Sequence, residues 1–272
     1  MIAFLGFMRW LNEASLMMLF GSACLLALLA AKVPELALES GALSLGRRIG
    51  ALVSLVSALL WMALASAPMS GATLFGQLFI ARLPLLLGLI VAVWLGWTRL
   101  TACLAGAVLI LIAVTSHTAT ASPFGFWLVG TASDGLHLLT AGYWIGSLCV
   151  LAFLLAERPA APRLALAISI FAEWGMIAVA LLVMTGMINA AMVLLGTPGH
   201  DALPYLAVLG VKLTLVVTMI ALALVNQFRL MPRLGQTGAV IRLKHHVGWE
   251  LGLGLIVVGL AMALALLAPT LQ

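Results

Sequence analysis

Charge is what this sequence has least of. Only 8% of its 272 residues are Asp, Glu, Lys or Arg, where a soluble domain carries roughly a quarter. With 65% hydrophobic residues and a mean hydropathy of +1.25, there is more apolar surface than a soluble fold can hide, so a soluble globule is excluded. Cysteine is scarce as well. Cys24, Cys103 and Cys149 each sit inside an apolar stretch without Cys-x-x-Cys spacing, which argues against a disulfide framework or thiolate zinc site and leaves packing cysteines. Basic runs are missing too: the 13 Lys and Arg residues are spread along the chain without aromatic interleaving, so the net charge of +5 does not point to nucleic acid. Nor is there a long hydrophilic stretch, a low-complexity tract, a repeat or an ATP-binding loop. The expectation is a single transmembrane domain over residues 1–272 that is not an enzyme.

What is present is a series of apolar runs, at about 14–31, 49–67, 79–97, 100–117, 131–155, 166–195, 203–228 and 247–268. A hydrocarbon core of ~30 Å, crossed at ~1.5 Å per residue, needs about 20 such residues, so the reading is an all-α polytopic transmembrane bundle of eight spans. Arg9 before the first run and Ala30-Ala31 after it have the look of a signal peptide. The apolar core is longer than a usual signal sequence, so a retained helix is expected. Alternate connections carry the positive charge: Lys32, Arg47 and Arg48; Arg99; Arg158 and Arg163; then Arg229, Arg233, Arg242 and Lys244. Cytoplasmic loops hold the excess of Lys and Arg, so these connections face inward and both termini outward. Gly142 and Gly146 form a Gly-x-x-x-Gly spacing suited to close packing, and Gly252 with Gly254 thins the eighth run.

An ionisable side chain in hydrocarbon costs roughly 2.5 kcal/mol or more and needs a partner, a wet cavity or a function. Here such residues are few: Asp134 and His137 in the fifth run, Glu173 in the sixth, Lys212 in the seventh, Glu250 in the eighth, with His117 closing the fourth. Phe124 to Gly130, with Trp127, is expected to lie along the outer interface, which places Asp134 and His137 just below the surface at the depth of His117. Asp134, His137, Ala141 and Trp144, spaced three, four and three, share one helical face. Imidazole ligates copper and zinc, and thioether favours Cu(I). Asp134 could ligate or orient a histidine ring. Met184, Met187 and Met192 on the sixth run and Met69 in a loop offer soft donors, although methionine also fills gaps in bundles. On spacing alone, a ligand role and a hydrogen-bonded core role stand equal for His117 and His137. Lys212 and Glu173 read as a structural charge pair or separate network members, His245 and His246 as an interfacial anchor, and His200-Asp201 as a solvated turn.

The stretch from Asp134 to Gly146 resembles the Asp-x-x-His-Leu-Leu-x-Ala-x-x-Trp-x-Gly signature of the copper-resistance D membrane proteins. Thr115-Ser116-His117 is similar to that family's Thr-Gly-His, and Thr185-Gly186-Met187-Ile188-Asn189-Ala190 to its Thr-Gly-x-x-Asn-Ala. Val211-Lys212-Leu213 resembles its Val-Lys-Leu, and the run from Asn226 to Leu234 its Asn-x-x-Arg-x-x-Pro-Arg-Leu loop. At Glu250-Leu251-Gly252-Leu253 the spacing is shorter than the family's Glu-x-x-Leu-Gly, and His245-His246 stands in place of its Arg-Ser.

The resemblance implies a multi-pass protein of the bacterial inner membrane, with periplasmic termini, that takes up copper toward the cytoplasm. Its copper, expected as Cu(I), would load near the outer face on His117 and His137 with Asp134, and with Met184 or Met187. Asn189, Lys212, Trp144 and Glu173 would form the supporting network. A separate periplasmic copper-binding C-type protein is the expected donor, and membrane lipid the surroundings. Two readings compete: a b-type haem or quinone oxidoreductase, since two histidines on neighbouring helices can be axial ligands, and a copper-holding assembly factor that transports nothing.

Overall fold

The computed structural model describes residues 2–32, 41–64, 74–115, 127–157, 161–196, 203–233 and 238–267. All eight described α-helices follow the apolar runs: α1 Ile2–Lys32, α2 Gly41–Leu64, α3 Leu74–Trp94, α4 Thr98–Val114, α5 Trp127–Glu157, α6 Ala161–Gly196, α7 Leu203–Val225 and α8 Ala239–Leu267. Seven are long and apolar enough to cross a membrane, while α4, at 17 residues, is a shorter apolar helix. No strand occurs among the described residues. The protein is an all-α polytopic membrane bundle.

Three boundaries differ from the hydropathy reading, each for a local reason. First, α1 begins at Ile2 and not near residue 14. Apolar residues continue upstream, and the two charges that seem to interrupt them, Arg9 and Glu13, neutralise each other at 2.8 Å on successive turns. Second, Trp127 to Gly130 is the first turn of α5 and not a separate interfacial segment; Phe124 lies outside the described residues. At ~1.5 Å per residue, the 31 residues of α5 span about 46 Å, enough to carry Trp127 beyond the hydrocarbon. Third, α8 begins at Ala239, so His245, His246 and Glu250 are all helical.

The chain alternates direction, which puts the start of α1 and the end of α8 at the same end of the bundle. Cross-helix hydrogen bonds fix this. Near that end, Arg82 Nη2 of α3 donates to the Leu111 carbonyl (2.7 Å) and Thr115 Oγ1 (2.9 Å) at the close of α4. At the opposite end, Asn226 after α7 bonds Glu250 and His246 in the first half of α8.

The middle of the bundle is α1 crossing α5. Gly21 of α1 meets Gly142 and Gly146 of α5: a Cβ on Gly146 would lie 2.6 Å from Gly21 Cα, and one on Gly21 would lie 2.1 Å from the Gly142 carbonyl oxygen. The Gly-x-x-x-Gly spacing therefore serves an internal crossing. Around it are two cores. One joins α1 through α4 through Leu16, Leu19, Leu86, Leu89 and Leu109, and the other joins α1, α5, α6 and α8 through Leu25, Leu148, Leu155, Ile170 and Val247. Each of α6 and α7 keeps an outer face of exposed apolar residues, such as Ile177 and Leu195 or Leu206 and Val211, as expected of helices that face lipid.

Candidate functional site

The largest described cavity, about 390 Å³, lies between α5 and α6 to α8 in the half of the bundle that carries the chain ends, with α1 at its edge. Its walls are mostly apolar. The exceptions are Asp134, His137 and Trp144 from α5, Asn189 from α6, Tyr205 and Lys212 from α7, and Arg9 with Glu13 from α1. The whole face Asp134, His137, Ala141 and Trp144 lines this one space, as the helical spacing of those four residues requires.

His137 is held from α6. Its Nδ1 stands 3.0 Å from Thr185 Oγ1, and the Thr185 hydroxyl in turn donates to the Leu181 carbonyl of its own helix at 2.7 Å. A hydroxyl has one proton. When that proton is on Leu181, Nδ1–H donates to Oγ1, the Leu182 carbonyl is a further acceptor for the ring, and Nε2 is the nitrogen left for a ligand. Gly186 makes room for the ring, because a Cβ there would sit 3.3 Å from His137 Cε1. Asp134 is oriented in a similar way. Asn189 Nδ2 donates to Asp134 Oδ1 at 3.2 Å, and Ser133 Oγ donates to Asn189 Oδ1 at 2.6 Å, which fixes the amide's direction. Lys212, on the α7 wall, lies within electrostatic range of Asp134.

Of the residues expected at the site, the structure therefore brings together Asp134, His137, Met187, Asn189, Lys212 and Trp144. Met184 is half exposed on α6 and outside the cavity lining. Glu173 lies apart and pairs with Lys32 at 3.4 Å, not with Lys212. The reason is depth: Glu173 is in the half of α6 near the end of α1, whereas Lys212 is in the half of α7 near its start. His117, Met69, His200 and Asp201 fall outside the described residues. Among the described residues no group of three or more His, Cys, Asp or Glu side chains converges on one point. A metal here would draw on mixed donors: one imidazole, one carboxylate and the Met187 thioether.

Four contributors escaped the sequence reading. Arg9 and Glu13 were placed before the first span, and following the apolar pattern back to Ile2 would have enclosed them. Thr185 was visible only as a motif letter, since a threonine in an apolar helix ordinarily bonds its own preceding turn. Tyr205 carries no distinguishing signal.

At the opposite end, where His245 and His246 are expected as an interfacial anchor, His246 belongs to a second polar cluster. His246 Nδ1 instead lies 2.8 Å from Asn226 Oδ1, and Asn226 Nδ2 donates to the fully buried Glu250 carboxylate. Asn226 opens a π-helical turn, Asn226–Leu230, a distortion often found at functional positions.

Residues 165–264, which include most of α6 and α8 and all of α7, match the family model described as Copper resistance protein D. Over that stretch, 100 of its 272 residues, the chain is similar to the copper-resistance D membrane proteins. No curated protein and no solved structure gives a significant match. The matched stretch supplies Met187, Asn189 and Lys212 to the cavity and Thr185 to the support of His137, while His137 and Asp134 lie before it. The likeness is to a family described by copper resistance, and it falls on the helices that wall the cavity.

Proposed function

We propose that the cavity between α5 and α6 to α8 is a copper-loading site, and that the protein carries copper across the bacterial inner membrane from periplasm to cytoplasm without catalysing a reaction. The observation that carries this reading is the His137–Thr185 contact. With the Thr185 proton on its own helix, the contact takes Nδ1 as donor and supports Nε2 as the ligand atom, in a cavity that also offers Asp134 and Met187. An imidazole with a thioether suits Cu(I), and the carboxylate offsets its charge. His117, two residues past Thr115 in sequence, is the second histidine of the proposed site. Copper is cargo here, supplied from outside by a separate periplasmic C-type protein. The position of the cavity in the half that carries both termini supports loading from that side.

Two measurements on purified protein test this. Cu(I) competition with a chromophoric chelator should show binding that falls at least tenfold in His137→Ala and in His117→Ala. Copper flux into sealed proteoliposomes should fall with it. Unchanged binding and flux in both variants would defeat the site. Binding without flux in the wild type would make the protein a holder of copper and not a carrier. A Soret band lost in His137→Ala would replace the copper reading with haem.

A further inference from the structure

A second chamber of about 240 Å³ lies on the far side of Trp144 from the loading cavity. Trp144 and Ile220 line both spaces and so form the partition between them. The second chamber is walled almost wholly by apolar side chains of α5 to α8, and Glu250 is the one ionisable residue in its described lining. That carboxylate is 1% exposed. Asn226 Nδ2 donates to it, and the Trp144 indole of the partition lines the same chamber. Asn226 is in turn committed by His246, whose ring donates to Oδ1 and so keeps the amide turned toward Glu250.

This arrangement puts a buried carboxyl group in an apolar chamber whose described wall holds no cation to match it. A buried carboxyl group either keeps its proton or takes a counter-charge, and a cation entering the chamber would supply the counter-charge that none of the described partners does. The same chamber is lined by the thioethers of Met231, in the turn after the π-helical residues, and Met176 of α6. A carboxylate with thioethers is a donor set that prefers a soft monovalent cation over sodium or magnesium. Conduction through a protein also favours several weak sites in series over one tight site.

We infer that the chamber beyond Trp144 is a second Cu(I) site, with Glu250 supplying the charge and Met231 and Met176 the soft donors, and with Trp144 as the gate between the two sites. The inference rests on the copper reading of the first cavity. In it, copper loaded at His137 advances when Trp144, which lines both spaces, swings aside, and the Glu250 carboxylate receives the ion.

Copper stoichiometry and flux in purified and reconstituted full-length protein separate the two claims. The wild type should bind two equivalents of Cu(I). Glu250→Gln, which keeps the size and the Asn226 contact, should retain the His137 equivalent, lose the other and reduce flux at least tenfold. Met231→Leu, nearly equal in volume, should weaken the second equivalent about tenfold and remove a sulfur scatterer from the copper X-ray absorption spectrum. His137→Ala should lose the first equivalent and keep the second. If the wild type binds one equivalent that His137→Ala abolishes, and Glu250→Gln and Met231→Leu change neither binding nor flux, the second site is overturned while the loading site stands. A wild-type protein that binds no copper overturns both.

Discussion

At the scale of single residues, function depends on which nitrogen of His137 is free, and that is decided by a neighbour on another helix. Removing the Thr185 hydroxyl should therefore act on copper without touching a ligand. Thr185→Val leaves Nδ1 without its acceptor, and loss of such an orienting partner typically costs 10–100-fold in metal affinity. Thr185→Ser should keep affinity near the wild-type value, and Cu(I) competition on the pair would show the contrast. Glu173 gives the opposite expectation. Its bond to Lys32 is long at 3.4 Å, and both side chains are more than half exposed. Exposed pairs are worth ~0–1 kcal/mol, so Glu173→Ala should leave copper binding unchanged and shift the detergent unfolding midpoint very little. The face Asp134, His137 and Trp144 was legible from spacing because helix geometry fixes it. That Glu173 and Lys212 sit apart was not, because sequence gives the residues of each helix but not how far neighbouring helices slide past one another.

At the scale of helices, the α1–α5 crossing is set by backbone contact, and Gly146 and Gly252 form an internal comparison. A methyl group on Gly146 would meet Gly21 Cα, Ser22 N and the Met17 carbonyl oxygen within 2.7 Å, all backbone atoms that cannot step aside. On Gly252 it meets nothing within 4 Å. Gly146→Ala should destabilise by about 1–3 kcal/mol as an overpacked contact, seen as a lower midpoint in an SDS unfolding titration, and Gly252→Ala should match the wild type. The spacing of Gly142 and Gly146 was plain in the sequence, but its partner was not, since Gly21 is only one of many glycines in an apolar chain. The start of α1 makes a related point. Glu13 is buried against Arg9, and breaking a buried pair from one side costs about 3–5 kcal/mol through the charge left behind. Glu13→Ala should thus destabilise more than the double replacement Arg9→Met with Glu13→Leu, and the same titration measures the difference. Because α1 touches both cores, this loss should also loosen the cavity edge.

At the scale of the whole molecule, the number of spans could be counted from hydropathy, but their neighbours could not. Apart from α2, the helices are apolar nearly all round, so no polar face announces what each packs on; hence the joining of α1 to α5 across more than a hundred residues emerges only in three dimensions. Charge carries the information that hydropathy lacks. Lys32, Arg47, Arg48, Arg99, Arg229, Arg233, Arg242 and Lys244 all fall at the end of the bundle away from the chain ends. The two arginines nearer the chain ends are held internally, Arg9 by Glu13 and Arg82 by Leu111 and Thr115. They are tied into the fold instead of standing free to be read as topology signals. The basic end should accordingly face the cytoplasm. Fluorescent-protein fusions report this directly, since the fluorophore matures in the cytoplasm and fails after export in unfolded form. A fusion inserted between Glu157 and Ala161 should fluoresce, and one after Gln272 should stay dark while alkaline phosphatase at the same place is active. A bright carboxy-terminal fusion would invert the bundle, put the His137 cavity on the cytoplasmic side, and turn the proposed uptake path into one that loads copper from within.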